Sequence, residues 1–257
     1  FVANYCRVFP QEYNAYFEPF MGGGSVFFYL MPQQATISDI NSDLMNIYRV
    51  MAHNPLRLKV LLKAHQENHC EEYYYNIRST VPDDPVVCAA RFLYLNRTCF
   101  NGMYRVNQYG NFNVPIGTRK YFIDDIEIFE EYSRVLQNAH IRSQDFVKTI
   151  RGAGEGDLIF ADPPYTIAHN QNSFIKYNER LFSWKDQTRL LNALVRARAR
   201  GAVIIATNAL YPQLERMYLD NGFHTYTLNR FSSISGNANG RKRQEELLIT
   251  SYPAKLE

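Results

Sequence analysis

The sequence predicts an α/β fold in which helices cover both faces of a parallel sheet. Two continuous apolar segments, 157–161 and 201–206, have the length and composition of strands that are buried on both sides. The segment between them, at 186–200, has a helical pattern. Strands that alternate with helices favour a parallel sheet, and such sheets bind ligands at the carboxyl ends of their strands.

The beginning of the chain predicts a βαβ unit with a glycine turn. A strand at 13–20 precedes Gly22, Gly23 and Gly24, and a helix at 25–30 and a strand at 35–38 follow. Glycines in this turn would let a ligand approach the backbone, and an acid such as Asp39 after the second strand can bind ribose hydroxyls. Plain turn glycines and a helix-capping aspartate would give the same pattern, so the unit alone leaves both interpretations open.

The middle of the chain predicts helices followed by an irregular binding segment. A helix begins after Asn41 or Ser42, either of which can serve as its N-cap. Within the block 53–139, residues 96–120 are rich in asparagine, glycine and aromatic side chains and have little periodicity. Gly110 can close a hairpin between two short strands there. We expect an exposed, structured loop rather than part of the core.

Composition narrows the class of protein. The chain has 257 residues, 46% of them hydrophobic, and a net charge of +3, which allows one large α/β domain with an inserted lobe and is compatible with a polyanionic partner. The four cysteines lack CxxC spacing, so we expect reduced thiols, a cytoplasmic protein and no metal. No apolar run approaches the roughly 18 residues of a membrane span, and no signal peptide is visible.

The segment Asp162-Pro163-Pro164-Tyr165 follows the strand at 157–161. Two prolines remove two backbone donors and stiffen the turn, which fixes the Asp162 carboxylate and the Pro163 carbonyl. Both groups are acceptors, and an aromatic amine with two N–H donors would match them. Tyr165 adds a flat face for stacking. A simple turn at the end of a strand is the alternative interpretation.

Several motifs in one order resemble the Dam family of DNA adenine-N6 methyltransferases. They are EPFMGGGSVFF at 18–28, Asp39-Ile40-Asn41, LNRTCFNGMYRVNQYGNFNVPIG at 95–117 and Asp162 to Tyr165. Their order is that of the α group of amino-methyltransferases. The resemblance implies a Rossmann-like S-adenosylmethionine-dependent methyltransferase fold with an inserted, mainly helical DNA-recognition lobe. The catalytic domain would comprise 1–52 and 140–257, and the lobe 53–139.

The resemblance also implies roles for residues in the catalytic domain, with S-adenosyl-L-methionine as the methyl donor. The implied cofactor-binding residues are Glu18, Phe20, Gly22, Gly23, Asp39, Ile40, Asp145, Phe146 and Asp162. Asp39 would hold the ribose hydroxyls, Ile40 would pack on the cofactor adenine, and Asp145 would reach the edge of that adenine. The implied catalytic residues are Asp162, Pro163, Pro164 and Tyr165.

In the recognition block, the resemblance implies contacts with double-stranded DNA. The implied DNA-binding residues are Arg97, Phe100, Asn101, Met103, Arg105, Asn107, Pro115, Arg119 and Lys120. Of these, Arg97 and Asn107 match phosphate contacts. Phe100 and Asn101 match the pair that fills the space left by a flipped base. The residues that match the readers of GATC are Met103, Arg105, Pro115 and Arg119. A solvated surface charge remains the alternative for each arginine.

Near the C-terminus, the segment from Ser233 to Leu248 resembles the family's closing loop and last hairpin strand. Within it, the basic run from Arg241 to Arg243 contacts phosphates or is simply solvated.

Two features concern the ends of the chain. The family's Gly-Gly-Lys motif with its Trp or Tyr does not precede Phe1, which we interpret as truncation, and Leu256-Glu257 resembles a vector scar. We expect an enzyme that acts as a monomer on bacterial or phage DNA near the nucleoid.

Three matters stay open at this stage. The acceptor could instead be cytosine N4 or an RNA base. The protein could bind DNA without catalysis. The sequence does not choose among restriction-modification, repair, a mobile element and gene regulation.

Overall fold

Strands and helices alternate in the first and last parts of the chain, on either side of a run of helices, which confirms the predicted α/β class. The computed structural model describes residues 6–102, 104–107, 110–121, 128–164, 182–231 and 243–255. The strands are β1 (Tyr16–Glu18), β2 (Ala35–Asp39), β3 (Ala139–Ser143), β4 (Leu158–Ala161), β5 (Val203–Ala209), β6 (His224–Phe231) and β7 (Arg243–Thr250). The helices are α1 (Ser25–Leu30), α2 (Ser42–His53), α3 (Pro55–Glu67), α4 (Glu71–Ser79), α5 (Pro85–Thr98), α6 (Ile128–Gln137), α7 (Phe146–Arg151), α8 (Trp184–Ala199) and α9 (Pro212–Leu219).

The chain divides into two compact units, Phe1–Ile40 with Gln144–Glu257, and Asn41–Ser143. We call them unit 1 and unit 2. The boundaries differ from the predicted domains because α2 packs against α5 and α6 and therefore groups with them. The assignment of catalysis to one part and DNA recognition to the other stays a prediction.

Unit 1 is built on strands in the order β2-β1-β4-β5-β7-β6. The first four are parallel, with Tyr16 paired to both Ala35 and Leu158, and Leu158 paired to Val203. By contrast, β7 runs antiparallel to both β5 and β6. The sheet is therefore mostly parallel, as predicted, and two late strands form an antiparallel pair at this edge.

The core of unit 1 explains why these segments form strands and helices. All four residues of β4 are buried, as expected for an apolar strand with helices on both faces. The face of α8 that carries Leu190, Leu194 and Ala197 is also buried, and it packs in the same hydrophobic cluster as Ile159 and Ile204. Ser183 and Asp186 close a capping box at the start of α8, which fixes the direction of the helix.

Unit 2 is mainly helical. Asn41 caps α2, since its side chain accepts hydrogen bonds from the backbone N–H groups of Asp43 and Leu44. Of the two predicted candidates, Asn41 and Ser42, the N-cap is therefore Asn41. Asp84 caps α5 in the same way, with Pro85 at the first helical position. Among the described residues, no helix is long and apolar enough to cross a membrane.

Candidate active site

A cavity of about 480 Å³ opens in unit 1 where β1, β2 and β4 end. Its volume lies in the range of about 300–1,000 Å³ that is usual for small-ligand sites, and the carboxyl ends of parallel strands are the usual place for them. Its lining residues are Pro19, Phe20, Gly22, Asp39, Ile40, Gln144, Asp145, Phe146, Asp162, Pro163, Pro164, Phe182, Asp186 and Arg189.

The glycine turn after β1 lies directly against Asp39. The Gly22 amide donates a hydrogen bond to Asp39 Oδ2 over 3.2 Å, and Gly22 and Gly24 have φ angles of 46° and 66°, a region that glycine adopts without strain. A Cβ atom added at Gly22 or Gly23 would meet no protein atom within 4 Å. The turn therefore leaves open space that a ligand can use.

Asp39 and Asp145 are held close together by the backbone. The Gln144 amide donates to the Asp39 carbonyl over 3.1 Å, and the Gln144 side chain donates to Thr149 Oγ1 over 2.8 Å. Thr149 Oγ1 lies 2.5 Å from Ser38 Oγ, so the ends of β2 and α7 share one buried polar contact. Both carboxylates consequently line one cavity.

Ile40 adds an apolar surface next to these acids. Its side chain is 78% exposed, which is unusual for an isoleucine beside a cavity. Burial against a flat ligand would remove this apolar area from water.

An aromatic wall closes another side of the cavity. The Phe20 ring stacks on Phe146 at 5.1 Å between centroids and meets Phe182 edge-on at 5.5 Å. The Arg189 guanidinium lies 4.9 Å from the centroid of the Phe146 ring. The wall combines apolar faces with one cation at its edge.

Arg189 is held by two carboxylates that also line the cavity. Its Nη2 donates to Asp145 Oδ2 and its Nη1 to Asp186 Oδ1, each over 2.8 Å. The hydrogen bonds that Arg189 donates to Asp145 and Asp186 raise its pKa. The other oxygen of Asp145 accepts from the Val147 amide over 3.0 Å, which fixes the carboxylate at the start of α7.

Glu18 lies beneath the site rather than on its surface. The side chain is 3% exposed and is not among the lining residues, and Gly23, although exposed, does not line the cavity either. Burial, together with the nearby Asp162 charge, raises the pKa of Glu18 to about 8, against the lowering effect of the hydrogen bond from Tyr16 OH. Glu18, the last residue of β1, is thus a buried acid near Asp162.

Asp162 stands at the end of β4 and is tied to the neighbouring strand. Its Oδ1 accepts a hydrogen bond from Thr207 Oγ1 over 2.6 Å. Asp162 and Pro164 are exposed, whereas Pro163 is buried. Tyr165, the last residue of the motif, lies outside the described residues.

The end of β5 differs from the predicted one. The strand runs from Val203 to Ala209, so Thr207 and Asn208 lie within it and not after it. The reason is that Asn208 pairs with Leu247 and Ala209 with Glu246 on β7, an antiparallel neighbour that extends the ladder.

In unit 2, most of the predicted recognition residues that the structure describes lie on irregular backbone, and Arg97 lies on a helix. Phe100 is half exposed in a 3₁₀ turn, Phe100–Gly102, that also contains Asn101 with φ 54°. The Phe100 amide donates to the Pro115 carbonyl over 2.9 Å, which ties the turn to the later part of the segment. Arg97 is exposed at the end of α5.

The predicted hairpin around Gly110 is present as a short antiparallel pairing of the residues on either side of the turn. Val106 and Phe112 form an antiparallel β-bridge. The Asn107 amide donates to the Asn111 carbonyl over 2.8 Å, and the Asn111 amide donates to Asn107 Oδ1 over 3.0 Å. Gly110 has a φ of 79°, as such a turn requires.

Arg105, an exposed arginine next to this pairing, has a hydrogen-bond partner within the segment. Arg105 Nε donates to Asn113 Oδ1 over 2.9 Å. Met103 lies outside the described residues.

The end of the recognition segment is tied to α3. Gln66 Nε2 donates to the Lys120 carbonyl over 2.8 Å, while the side chains of Arg119, Lys120 and Pro115 stay exposed. Val114, by contrast, is buried, and its carbonyl accepts from Tyr74 OH over 3.0 Å. The segment is anchored through its backbone and leaves several cationic side chains at the surface.

Sequence reasoning missed four polar or aromatic lining residues, Gln144, Phe182, Asp186 and Arg189. A capping pattern at 183–186 was visible before α8, and Arg189 follows Asp186 by the three residues that suit a helical ion pair. Nothing local in the sequence connects Arg189 with Asp145. Within the described ranges, no group of three His, Cys, Asp or Glu side chains could hold a metal ion.

The sequence of this chain is similar to those of known DNA methyltransferases. The model of a family described as D12 class N6 adenine-specific DNA methyltransferase matches residues 1–238. The chain is 38% identical over 252 residues to the type II methyltransferase M1.LlaDCHI of Lactococcus lactis subsp. cremoris, covering 95% of this chain and 88% of that protein. It is 30% identical over 244 residues to the DNA adenine methylase of Escherichia coli (strain K12), covering 92% and 86%.

A third similar protein is longer. The chain is 34% identical over 235 residues to the DNA N-6-adenine-methyltransferase of Escherichia phage P1. This alignment covers 90% of this chain but 31% of the phage protein.

Proposed function

Because this chain belongs to the D12 class N6 adenine-specific DNA methyltransferase family, we propose that it moves a methyl group from S-adenosylmethionine to a flipped-out adenine, within GATC. The observation that carries the proposal is the position of Asp162 and Pro163 on the same cavity as Asp39 and Phe146. One side of the cavity thus offers acceptors for an amine, and the other offers groups suited to a nucleoside.

The residues of the cavity fit S-adenosylmethionine by their chemistry. Asp39 offers a carboxylate for ribose hydroxyls, and Asp145 offers one for the amino edge of an adenine ring. Ile40 and Phe146 supply apolar surface for the faces of that ring. The open space beside Gly22 suits the remainder of the molecule. The bound cofactor supplies a methyl group already activated on a sulfonium, so no metal is required.

At the acceptor side, Asp162 and Pro163 act on the amino group of the target base. The amino nitrogen of adenine is a poor nucleophile because its lone pair is conjugated into the ring. The Asp162 carboxylate and the Pro163 carbonyl accept hydrogen bonds from its two N–H groups, and this favours a nitrogen whose lone pair faces the methyl group. Tyr165 stacks on the base. Catalysis then consists of positioning and electrostatic stabilisation, with direct transfer and no covalent enzyme intermediate.

Recognition of the duplex belongs to the exposed residues of unit 2. Adenine N6 cannot be reached inside the duplex, so the base is flipped out at a cost of a few kcal/mol, and Phe100 with Asn101 fills the space that it leaves. Arg105 and Arg119 have the paired donors that read guanine in the major groove. The apolar Met103 and Pro115 contact thymine methyl groups.

The phosphate contacts complete this proposed interface. Arg97, Asn107 and Lys120 bind the DNA backbone, so their contribution does not depend on sequence. The protein acts as a monomer on DNA in the cytoplasm. The names of its relatives, a type II methyltransferase and a DNA adenine methylase, make restriction-modification and the Dam type of methylation the two roles to distinguish.

The test is methyl transfer from labelled S-adenosylmethionine to matched duplexes with and without GATC. Label on adenine in GATC duplexes alone supports the chemistry and the base-reading residues together. Label on adenine in duplexes without GATC supports adenine methyl transfer but contradicts the assignment of GATC as the recognition site. Cofactor binding without label in any duplex overturns DNA methylation by this site and leaves an RNA acceptor or an inactive DNA-binding protein.

A further inference from the structure

The Thr207 side chain connects Asp162 to the neighbouring strand β5. The hydroxyl donates to Asp162 Oδ1 over 2.6 Å, a length typical of an O–H group bonded to a charged carboxylate. Thr207 is 2% exposed and does not line the cavity, whereas Asp162 is exposed and does. A buried hydroxyl therefore holds a carboxylate that faces the site.

The sheet places this hydroxyl with little freedom. Ala161 on β4 pairs with Ala206 on β5, so the residues that follow each of them, Asp162 and Thr207, come side by side at the strand ends. Thr207 also pairs with Leu248 on the other side. A β-branched side chain on a strand paired on both sides has few rotamers available.

The next residue fixes the end of β5 further. Asn208 Nδ2 donates to Gln187 Oε1 on α8 over 3.1 Å, and both side chains are fully buried. Asn208 Oδ1 accepts from the Ala209 amide over 2.9 Å. The backbone that carries Thr207 is thus braced against α8, so the position of its hydroxyl is set by the core and not by solvent.

We propose that Thr207 is a positioning residue for methyl transfer, because its hydroxyl holds one oxygen of Asp162 and so directs the other oxygen towards the amino group of the target base. This inference rests on the proposed function. An exposed aspartate without such a bond would sample several staggered rotamers. Thr207 does not line the cavity, so we expect it to affect the rate only through Asp162.

The test compares Thr207→Val, which keeps the shape, with Thr207→Ser, which keeps the hydroxyl. Since a misplacement of about 1 Å can cost about 100-fold in rate, we expect Thr207→Val to lower kcat about 10- to 100-fold. The KM for duplex DNA and the calorimetric Kd for S-adenosylmethionine should stay within about twofold, as for loss of a transition-state interaction. Thr207→Ser should restore most of kcat.

Thr250→Val is the matched control. Thr250 is fully buried in the same sheet, and its hydroxyl donates to the Tyr252 carbonyl over 2.5 Å. Its loss removes a comparable hydrogen bond without touching Asp162, so kcat should match the wild type. A crystal structure of Thr207→Val should show the Asp162 carboxylate in a changed rotamer. If the valine variant does not fold, Thr207→Ala against Thr207→Ser isolates the hydroxyl in the same way.

The outcomes separate the two proposals. An unmethylated duplex with the wild-type protein overturns the proposed function and this inference with it. A wild type that methylates adenine, together with an unchanged kcat in Thr207→Val, overturns the role of Thr207 alone. An equal loss in the serine and valine variants, or an equal loss in Thr250→Val, also overturns it, because the hydroxyl bond to Asp162 would not be the cause.

Discussion

The rim of the cavity in unit 1 and the recognition segment 96–120 in unit 2 hold their key side chains in different ways. On the rim, Asp39, Asp145 and Asp162 each accept a hydrogen bond from a backbone or side chain that the sheet or a helix start positions. In the recognition segment, the backbone is anchored, for example at Val114 and Lys120, but several of the important side chains are exposed.

This difference bears on what each region can do alone. Fixed carboxylates around a preformed cavity need little rearrangement to bind a small ligand or to orient an amine, which is the condition for catalysis by positioning. Exposed arginines contribute to sequence specificity when they form hydrogen bonds with base edges. Substitutions on the rim should therefore affect rate and cofactor binding, and substitutions in the segment should affect the choice of DNA.

The largest effect is expected for Asp162→Ala. It removes one of the two acceptors for the target amine, and loss of one such electrostatic contact costs about 100- to 1,000-fold in kcat. Duplex affinity should change little, as measured by fluorescence anisotropy. The control is Asp220→Ala, an exposed aspartate paired with Arg216 on α9. Activity retained by Asp162→Ala would contradict the catalytic role of the rim.

The next effect concerns Asp39→Ala. A hydrogen bond to a charged group contributes about 1.5–3 kcal/mol, so we expect the Kd for S-adenosylmethionine to rise about 10- to 100-fold. Duplex binding should be unaffected. Asp43→Ala, at an exposed position in the first turn of α2, serves as the control. Equal cofactor affinity in the two variants would remove Asp39 from the cofactor site.

A smaller effect is expected in the recognition segment, for Arg119→Ala. Loss of a bidentate contact with guanine costs about 1–3 kcal/mol of discrimination, so the preference for GATC over a duplex with one changed base should fall about tenfold. Overall affinity should fall less. Arg97→Ala, at a proposed phosphate contact, should instead weaken all duplexes equally and reduce the salt dependence by about one unit of slope. If Arg119→Ala and Arg97→Ala behave alike, the segment does not read bases through Arg119.

The smallest effect is a pH-dependent change in stability from Glu18. The folded state keeps the Glu18 proton up to a pKa of about 8, while the unfolded chain loses it around 4.5. Between these values the unfolded state binds fewer protons, so the wild type loses up to about 1.4 kcal/mol of unfolding free energy for each pH unit. Below 4.5 both states are protonated and the contribution is fully present.

Glutamine does not titrate, so the unfolding free energy of Glu18→Gln does not fall with pH in this way. Its unfolding free energy, measured by denaturant titration, should therefore rise relative to the wild type by about 1 kcal/mol between pH 6.5 and 7.5. Glu155→Gln, at an exposed carboxylate in the same unit, accounts for the removal of a surface charge. A difference that does not change with pH would mean that Glu18 is not buried as a neutral acid.

The fold and much of the rim could be predicted from the sequence because the relevant signals are local. The apolar run of β4 and the glycine turn each determine their own geometry, and parallel pairing then brings Asp39 and Asp162 to one edge. The helix α1 was predicted with its exact bounds, Ser25–Leu30. The resemblance placed Asp145 and Phe146, which the structure brings to the same cavity.

The remainder depends on contacts between distant residues. The burial of Glu18 follows from its packing with Tyr16 behind the glycine turn, and no pattern in the sequence distinguishes it from an acid at the surface. Arg189 reaches the cavity because α8 packs against α7. The extension of β5 past Ala206 requires β7 as its partner, which comes about 40 residues later.

The most direct measurement is nucleoside mass spectrometry of a GATC duplex after incubation with S-adenosylmethionine and either the wild type or Asp162→Ala. We predict N6-methyladenine with the wild type, one adenine per site and strand, formed about 100- to 1,000-fold more slowly with the variant. Methyl groups on cytosine N4, or equal amounts of N6-methyladenine from the variant, would contradict the assignment of adenine methylation to the Asp162 rim.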